Sequence, residues 1–281
     1  LAARRVATLD GPHGLEHLGA RLSMNLCETT KGSASVCVPG IALLAEIRAD
    51  FVIPWAAIDA FERGAPALDA DPAEDAAREV ALAEDRMALL GDPIGDGFLR
   101  SRSGPRVAIG AWDQPLAVLT DLLAAVETLD RSGIPGPYEA IVSTSRYYDY
   151  LRAINELNPR ASELEGIVAA VHRSPVLSNS GAVFSTRGDD FVLSIGGDLA
   201  VGYRFHDREG VHLFCIESAA PQVVTPEAVC LLDGGDIADE GGGQRAADEG
   251  SRAETTRQQA APEPKKPATR DDRAAKKGNK R

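Results

Sequence analysis

Three residues near the start of the chain have the types and spacing of a zinc site. His13, Glu16 and His17 match the pattern H-x-x-E-H, in which two imidazoles bind zinc and the carboxylate acts as a general base. The pattern depends on a helix, because residues four apart on a helix lie on one face. Residues 10–12 form a predicted turn just before it, Gly14 lies inside it, and the sequence offers no obvious third ligand. We therefore favour an interpretation without a metal ion.

The other reactive side chains show no spacing of a known catalytic type. The sequence contains no G-x-S-x-G motif, no phosphate-binding loop and no G-x-G-x-x-G motif. His172, His206 and His212 have no spacing to a serine or cysteine that indicates a triad, and we interpret them as surface or strand residues. Residues 187–189 are Arg-Gly-Asp, which we interpret as a hairpin turn and not as an adhesion motif. The sequence thus predicts a protein without catalytic residues, metal or cofactor.

The charge and the cysteine content argue against several classes of protein. The 281 residues include 42 acidic and 30 basic side chains, and an acidic protein of net charge −12 repels nucleic-acid phosphates. Four cysteines without C-x-x-C spacing favour reduced thiols in a cytoplasmic protein. The sequence has neither an apolar run of about 20 residues nor a secretory signal. We therefore expect no membrane partner and no specific nucleic acid.

Apolar residues at helical spacing predict four helices. The clearest runs to residue 90, with Asp71 placed as its N-cap and Gly91 as its end. Its apolar stripe consists of Ala73, Ala76, Val80, Ala83, Met87 and Leu90. Two further helices are predicted at 115–130 and 147–157, and a fourth follows a capping box at 162–165. The face of the second helix contains Leu116, Leu119, Leu123 and Val126, and that of the fourth contains Leu164, Ile167, Val168 and Val171.

Alternation of apolar and polar residues predicts the strands. Residues 47–53 indicate a strand with one wet face, and 182–195 and 199–217 are each predicted to form a hairpin. Residues 18–45 contain two weakly apolar segments around the turn-rich sequence ETTKGSAS. An isolated two-stranded hairpin is marginally stable in water. We therefore expect a neighbouring subunit to cover this arm.

The composition changes after Leu232. Residues 233–281 contain 11 basic and 10 acidic residues, against 19 basic and 32 acidic in the residues before them. They contain no aromatic residue and almost no large aliphatic one, so burial of apolar area cannot offset the entropy lost on ordering. We predict a disordered C-terminal tail, whose basic end is either a tether for an anionic surface or, as we favour, a solubilising appendage.

Seven segments in a fixed order resemble the encapsulin family, the linocin-type shell proteins of bacterial nanocompartments. The first is AARRVATLDGPHGLEH at 2–17, which is similar to the family's opening, where a basic pair leads to a Gly-Pro-x-Gly-Trp-Glu signature. The others are EIRADF at 46–51, IDAFERG at 58–64, LAEDRMALLG at 82–91, GIPGPY at 133–138, RGDDFVLSIGGDLAVGY at 187–203 and VVTPEAVCLL at 223–232. The resemblance covers residues 1–232 and explains the H-x-x-E-H pattern as part of the family's signature.

The resemblance implies an α+β fold, the Hong Kong 97-type phage capsid fold. Its peripheral domain would comprise 1–17, 51–105 and 194–232, its extended arm (E-loop) 18–50, and its axial domain 106–193. In the family, the arm pairs with neighbouring subunits to close an icosahedral shell. The implied partners are therefore other copies of this chain and a cargo protein that carries a targeting peptide, such as a peroxidase or a ferritin-like protein, inside a cytoplasmic nanocompartment.

The resemblance also implies two functional surfaces. Cargo peptides bind the inner face near the N-terminal helix and the peripheral sheet, which corresponds here to Arg4, Val6, Thr8, Leu199 and Val201. The five-fold pore loop corresponds to 155–160. Its candidate pore residues are Asn155, Glu156, Asn158 and Arg160.

The sequence departs from the family pattern at several positions. Leu15 replaces the usual Trp, Thr8 stands where an acidic residue is common, and the chain starts at Leu1 without the family's N-terminal helix, which we interpret as a missing first segment. Two alternatives to a shell protein stay open at this point. One is a prophage major capsid protein of the same fold, and the other is a bacteriocin-like or proteolytic enzyme that uses the H-x-x-E-H residues.

Overall fold

The computed structural model describes residues 1–29, 35–95, 97–100, 104–157 and 166–234, with the backbone alone for 23–29, 35–39 and 157. Residues up to Gly234 belong to one compact unit, Leu1–Ile237. The predicted disordered tail lies outside the described residues from 235 onward, and its first residue, Asp233, ends a strand of the folded body.

Five α-helices, a short 3-10 helix (Pro226–Ala228) and twelve strands are defined in this part of the chain. The helices are α1 (Ala3–Val6), α2 (Trp55–Glu62), α3 (Asp71–Leu90), α4 (Pro115–Arg131) and α5 (Thr144–Leu157). The strands are β1 (Thr8–Asp10), β2 (Gly19–Thr29), β3 (Ser35–Leu43), β4 (Ala45–Pro54), β5 (Arg106–Ala108), β6 (Tyr138–Ser143), β7 (Ala170–Ser174), β8 (Gly181–Ser185), β9 (Phe191–Ile195), β10 (Ala200–His206), β11 (Gly210–Val223) and β12 (Val229–Asp233).

The long helix α3 confirms the clearest of the sequence predictions. Gly91 ends it with a positive φ of 73°, a conformation that glycine adopts without a steric cost, and its N–H donates to the carbonyl of Met87. The predicted cap at the other end is wrong by one residue. Asp71 is the first helical residue, and Ala70 occupies the N-cap position, where it has no side-chain oxygen to accept a hydrogen bond.

Helix α4 also forms where the sequence predicts it, but a different face is buried. Leu116 and Leu123 are 61% and 50% exposed. The buried residues are Val118, Leu122, Ala125, Val126 and Leu129. Apolar residues occur around much of this helix, so the period alone does not determine which side packs against the sheet.

The first sheet is organised around the fourteen-residue strand β11. Along one edge β11 pairs antiparallel with β4, and along the other it pairs antiparallel with β10 and then with β9, which pairs parallel with β1. In β4, Ala49, Phe51 and Ile53 are buried against α3, which confirms the predicted strand with one wet face. The predicted hairpin of β10 and β11 is also confirmed.

The second sheet has the strand order β5–β12–β8–β6–β7, and it corrects two predictions. Strands β8 and β9 do not form the predicted hairpin, because β8 pairs with β6 and β12 while β9 joins the first sheet. Val171, expected on a fourth helix, lies in β7, which pairs parallel with β6. The capping box of that helix, 162–165, lies outside the described residues, as does Leu164.

One hydrophobic core extends across both sheets. The ring of Phe191 in β9 lies 5.2 Å from that of Phe184 in β8 and 5.4 Å from that of Phe98, and all three side chains are fully buried. The predicted domain boundary at 193/194 falls inside β9, and β12, from the segment 194–232, lies in the second sheet. The two sheets therefore share their packing.

The arm predicted at 18–50 contains a two-stranded antiparallel sheet of β2 and β3. Its base joins the body where the N–H of Leu44 donates to the carbonyl of Leu18, and the chain continues directly into β4. None of the helices within the described ranges is both long and apolar enough to cross a membrane.

Replacing the aromatic ring at the junction of the two sheets tests whether they share one core. We expect Phe191→Ala to lower the free energy of unfolding by about 3–5 kcal/mol, because it leaves a cavity among buried rings. Urea denaturation followed by circular dichroism measures this. Phe61→Ala, at an α2 position that is 49% exposed, is the matched control and should cost less than about 1 kcal/mol. Equal effects of the two changes would contradict a shared core.

Candidate binding surface

Strand β10 presents an exposed apolar face at the edge of the first sheet. In the antiparallel register, Val201 lies opposite Cys215 and Tyr203 opposite Leu213, so these side chains point to the side on which α3 packs. Helix α3 packs on β4 and β11, and Val201 and Tyr203 stay 61% and 58% exposed. With Leu199, which is 45% exposed, they form what we call the β10 surface.

A charge cluster adjoins this surface. The guanidinium of Arg4 in α1 donates from Nε and Nη2 to Glu84 of α3, at 2.8 and 2.6 Å, and from Nη2 to Glu217 of β11, at 2.5 Å. Its Nη1 lies 3.0 Å from Oδ1 of Asp198, which immediately precedes Leu199. The side chains of Glu84 and Glu217 are 0% and 2% exposed, whereas Asp198 is 56% exposed. We call these four residues the Arg4 cluster.

A second carboxylate of α3 fixes the start of α1. Asp85 accepts hydrogen bonds from the N–H groups of Ala2 and Ala3, at 2.9 and 3.0 Å. These are backbone donors that a helix cannot satisfy internally. Ala2, Ala3 and Val6 are buried in the main core. Helix α1 therefore docks on α3 through apolar packing, a cap and the Arg4 cluster together.

Burial raises the pKa of the Glu217 carboxyl from its ordinary value of 4.5 to about 8. That value also includes the hydrogen bond to Glu84 and the negative charge of Glu84, which raise the pKa, and the contact with Arg4, which lowers it. Two carboxylates in contact cannot easily ionise together away from water. The buried contact with Glu84 therefore favours the protonated form of Glu217.

The structure brings together three of the five residues predicted to bind a cargo peptide. Leu199 and Val201 belong to the β10 surface, and Arg4 is joined to that surface through Asp198. Thr8 is exposed on β1, where its hydroxyl donates to the carbonyl of Gly188 at 3.4 Å. Val6 is only 4% exposed and packs in the core.

Sequence reasoning missed the two buried carboxylates, although each interrupts an apolar pattern. Glu84 lies four residues after Val80 and three before Met87, on the buried stripe of α3. Glu217 continues the alternation of Leu213 and Cys215 towards the same side of β11. A charged residue at a position that the period assigns to the core indicates a buried ion pair.

Two of the predicted pore residues lie at the end of α5. Asn155 and Glu156 are both exposed there. Asn158 and Arg160 lie outside the described residues.

The H-x-x-E-H residues do not lie on a helix. The N–H groups of His13 and Gly14 donate to the carbonyls of Ile195 and Gly196 at the end of β9, and a turn follows in which the N–H of His17 donates to the carbonyl of Gly14. The imidazole of His13 lies 3.1 Å from Asp10, and its ring centre is 5.0 Å from that of His17. The arrangement lacks the helical face on which the zinc motif depends.

Removing the guanidinium tests how far α1 depends on its charge pairing. We expect Arg4→Ala to destabilise the protein by about 3 kcal/mol, because it leaves Glu84 and Glu217 buried without the guanidinium that bonds to both. Chemical denaturation at pH 7 measures this. Arg5→Ala, at the exposed neighbouring position, is the matched control and should stay within about 0.5 kcal/mol of the original protein. An Arg4→Ala protein as stable as the Arg5→Ala control would contradict this role.

Comparison with known proteins identifies relatives along most of the chain. A family model described as "Encapsulating protein for peroxidase" matches residues 1–220. A type 1 encapsulin shell protein of Rhodococcus erythropolis is 33% identical over 245 residues, which cover 83% of this chain and 88% of the relative. Another, from Rhodospirillum rubrum, is 31% identical over 249 residues, with 83% and 86% covered.

Solved structures show the same fold at lower identity. A virus-like particle from Pyrococcus furiosus has a TM-score of 0.60 and 18% identity, and the match covers 81% of this chain and 89% of that one. The capsid of an empty GTA particle has a TM-score of 0.54 and 16% identity, with 82% and 88% covered. These likenesses confirm the predicted α+β fold of the Hong Kong 97-type phage capsid. With the family model matching 220 residues and two relatives above 30% identity, the chain belongs to the encapsulin shell-protein family.

Proposed function

We propose that copies of this chain assemble into a closed icosahedral shell that encloses a cargo enzyme in the cytoplasm. Family membership and the capsid fold support the shell, and the family's character as encapsulating proteins for peroxidase supports a protein cargo. In such a shell, the first sheet with α3 would form the peripheral part, the second sheet with α4 and α5 the axial part, and 18–50 the arm.

The observation that carries this proposal is the apolar base of the arm. Leu18, Ile41 and Leu43 are 76%, 60% and 75% exposed. A groove of about 950 Å³ lies between the arm and the end of β11. Its lining includes Leu22, Leu43, Leu44, Ile94, Pro221 and Val223. Exposed apolar surface of this kind is typical of an interface, and closed symmetric assembly would cover it with a second copy of the chain.

Cargo would dock on the β10 surface. Its exposed side chains occur at every second residue, which is also the spacing of the side chains on one face of an extended peptide. Arg4, Leu199 and Val201 would contact the peptide or lie beside it, and Thr8 would lie at the margin of the site. Val6 is buried and would not touch the peptide, but its packing in the core holds α1 in place. A peroxidase or a ferritin-like protein with a terminal targeting peptide is the cargo we propose.

Solute passage would depend on the end of α5. Asn155 and Glu156 carry exposed polar groups there, and with Asn158 and Arg160 we assign them to the pore loop at the five-fold axis. A ring of these amides, carboxylates and guanidinium groups at a symmetry axis would determine which small solutes enter.

A prophage capsid is the second candidate, because several solved neighbours are phage capsids. The acidic composition argues for protein contents over DNA. We propose no enzymatic activity, since the H-x-x-E-H segment lacks the helix that a zinc protease needs. The buried free thiols of Cys215 and Cys230 fit a reducing cytoplasm.

Charge at the arm base should prevent assembly. We expect Ile41→Glu with Leu43→Glu to give folded subunits that do not form particles, because carboxylates cannot be buried in an interface without partners. Electron microscopy and light scattering measure particle formation, and circular dichroism measures folding. The matched control, Ile41→Val with Leu43→Met, keeps both positions apolar and should still assemble. Particles of normal size from the glutamate variant would contradict an interface at the arm base.

Charge on the β10 surface should release cargo without affecting the shell. We expect Val201→Asp particles to form normally but to lose the protein that co-purifies with shells from native cells, while Val201→Leu retains it. Mass spectrometry, haem absorbance and iron content identify that protein. Cargo retained by Val201→Asp would contradict binding at this surface. Particles that contain nucleic acid instead of protein would favour the capsid alternative.

A further inference from the structure

Two cysteines lie directly opposite each other in the backbone of the arm. In the antiparallel register of β2 and β3, Cys27 is the Cα partner of Cys37, within an unbroken run of pairs that begins with Asn25 opposite Pro39. Register partners on antiparallel strands have Cα atoms about 4.5–5.5 Å apart. A disulfide needs a Cα separation of about 4.4–6.8 Å. The arm therefore places these two residues at the spacing that a disulfide requires.

Pro39 determines which of the two kinds of register pair the cysteines form. Opposite residues on antiparallel strands alternate between pairs that exchange two N–H···O bonds and pairs that exchange none. Proline has no N–H to donate, so Asn25 and Pro39 form a pair of the second kind. Cys27 and Cys37 lie two positions further along the same register and are of the same kind. In pairs of this kind the Cα atoms are about 4.5 Å apart, which favours a cross-strand disulfide.

Cys215 and Cys230 differ from the cysteines of the arm. Both are buried free thiols, and they lie in separate hydrophobic clusters. Burial raises the pKa of the Cys230 thiol to about 11, and it also raises the pKa of the Cys215 thiol above its ordinary value. The thiolate is the nucleophile in disulfide chemistry, so these two side chains react slowly with an oxidant.

We infer that Cys27 and Cys37 form a redox modification site, at which hydrogen peroxide creates a disulfide that fixes the pairing of β2 with β3. One thiolate attacks the peroxide, the O–O bond breaks, and a sulfenic acid and water form. The second thiolate attacks the sulfenic sulfur, the S–S bond forms, and a second water leaves. The peroxide thus accepts two electrons, and the two thiol protons end in the two waters. Without peroxide, a reducing cytoplasm would keep both thiols reduced.

The bond would act on the element that a single subunit supports least. A two-stranded sheet is marginally stable in water, and the register of β2 on β3 shifts between Arg21 and Asn25. A disulfide that closes the nine-residue segment between the cysteines removes conformations from the unpaired arm and so favours the paired one. The inference goes beyond the proposed function, and only its effect on particles rests on that function.

Peptide mapping of the full-length chain tests the site. Trypsin cleaves after Lys31, so the two cysteines fall on the separate peptides 22–31 and 32–48. After peroxide treatment and blocking of free thiols, we expect these peptides as one linked species that dithiothreitol separates, in chains that run as monomers on a non-reducing gel. The absence of the linked species, or its presence only in bands of two chains, would overturn the inference.

A shifted pair of cysteines is the matched control. Val36→Cys with Cys37→Ser keeps two cysteines in the arm but places the second one opposite Glu28. Successive residues of a strand alternate between its two faces, and cysteines on opposite faces cannot be bridged unless the backbone moves. We expect about tenfold less linked species than in the original chain. Equal linkage in the two chains would contradict a site that depends on register.

Particle stability separates this inference from the proposed function. We expect peroxide-treated particles to dissociate in guanidinium chloride at least about twofold more slowly than particles kept in dithiothreitol. Cys27→Ser particles should dissociate equally fast under both conditions. Linked chains that form no particles would refute the proposed shell and leave the inference intact. Particles in which peroxide produces no linked peptides would refute the inference and leave the shell intact.

Discussion

The pairing of one guanidinium with two buried carboxylates holds together the edge of the first sheet. Arg4 connects α1 to α3 and β11, three elements that are far apart in sequence, and it reaches the start of β10 through Asp198. Neither buried carboxylate is favourable in an apolar environment without its partners. The positions of α1 and of the β10 surface are therefore linked electrostatically as well as by the packing of Val6 and its neighbours.

The arm imposes a second constraint, which a single copy of the chain does not satisfy. Its two strands pair with each other, and the apolar residues at its base stay exposed. Small two-stranded sheets gain little stability alone, so covering this base and the groove beside it would stabilise both the arm and the assembly. The arm is also tied directly to the folded body, because β3 runs into β4 and β4 pairs with β11. Contacts that the arm makes in a shell would therefore act on the first sheet.

Much of the architecture could be predicted from the sequence, and the misses have identifiable physical causes. The end of α3 at Gly91 and the alternation of β4 were predicted correctly from local sequence. The predicted stripe of α3 is correct at Ala76, Val80 and Met87 and wrong at Ala83, which is exposed, whereas Glu84 beside it is buried. Val171 of β7 was predicted on a helix, and β8 and β9 as a hairpin, because the pairing partners of these strands lie elsewhere in the chain. The buried partners of Arg4 depend on contacts across 80 and 213 residues, which no local pattern contains.

The short connection between β8 and β9 has a mechanical consequence. Five residues carry the chain from β8 in the second sheet to β9 in the first, and the return from β11 to β12 is also five residues long. The rings of Phe184 and Phe191 pack directly across this junction. Two short covalent links and a close-packed core leave little freedom for the sheets to hinge. The curvature of any wall built from such subunits would then be set largely by the fixed packing of the two sheets inside each subunit.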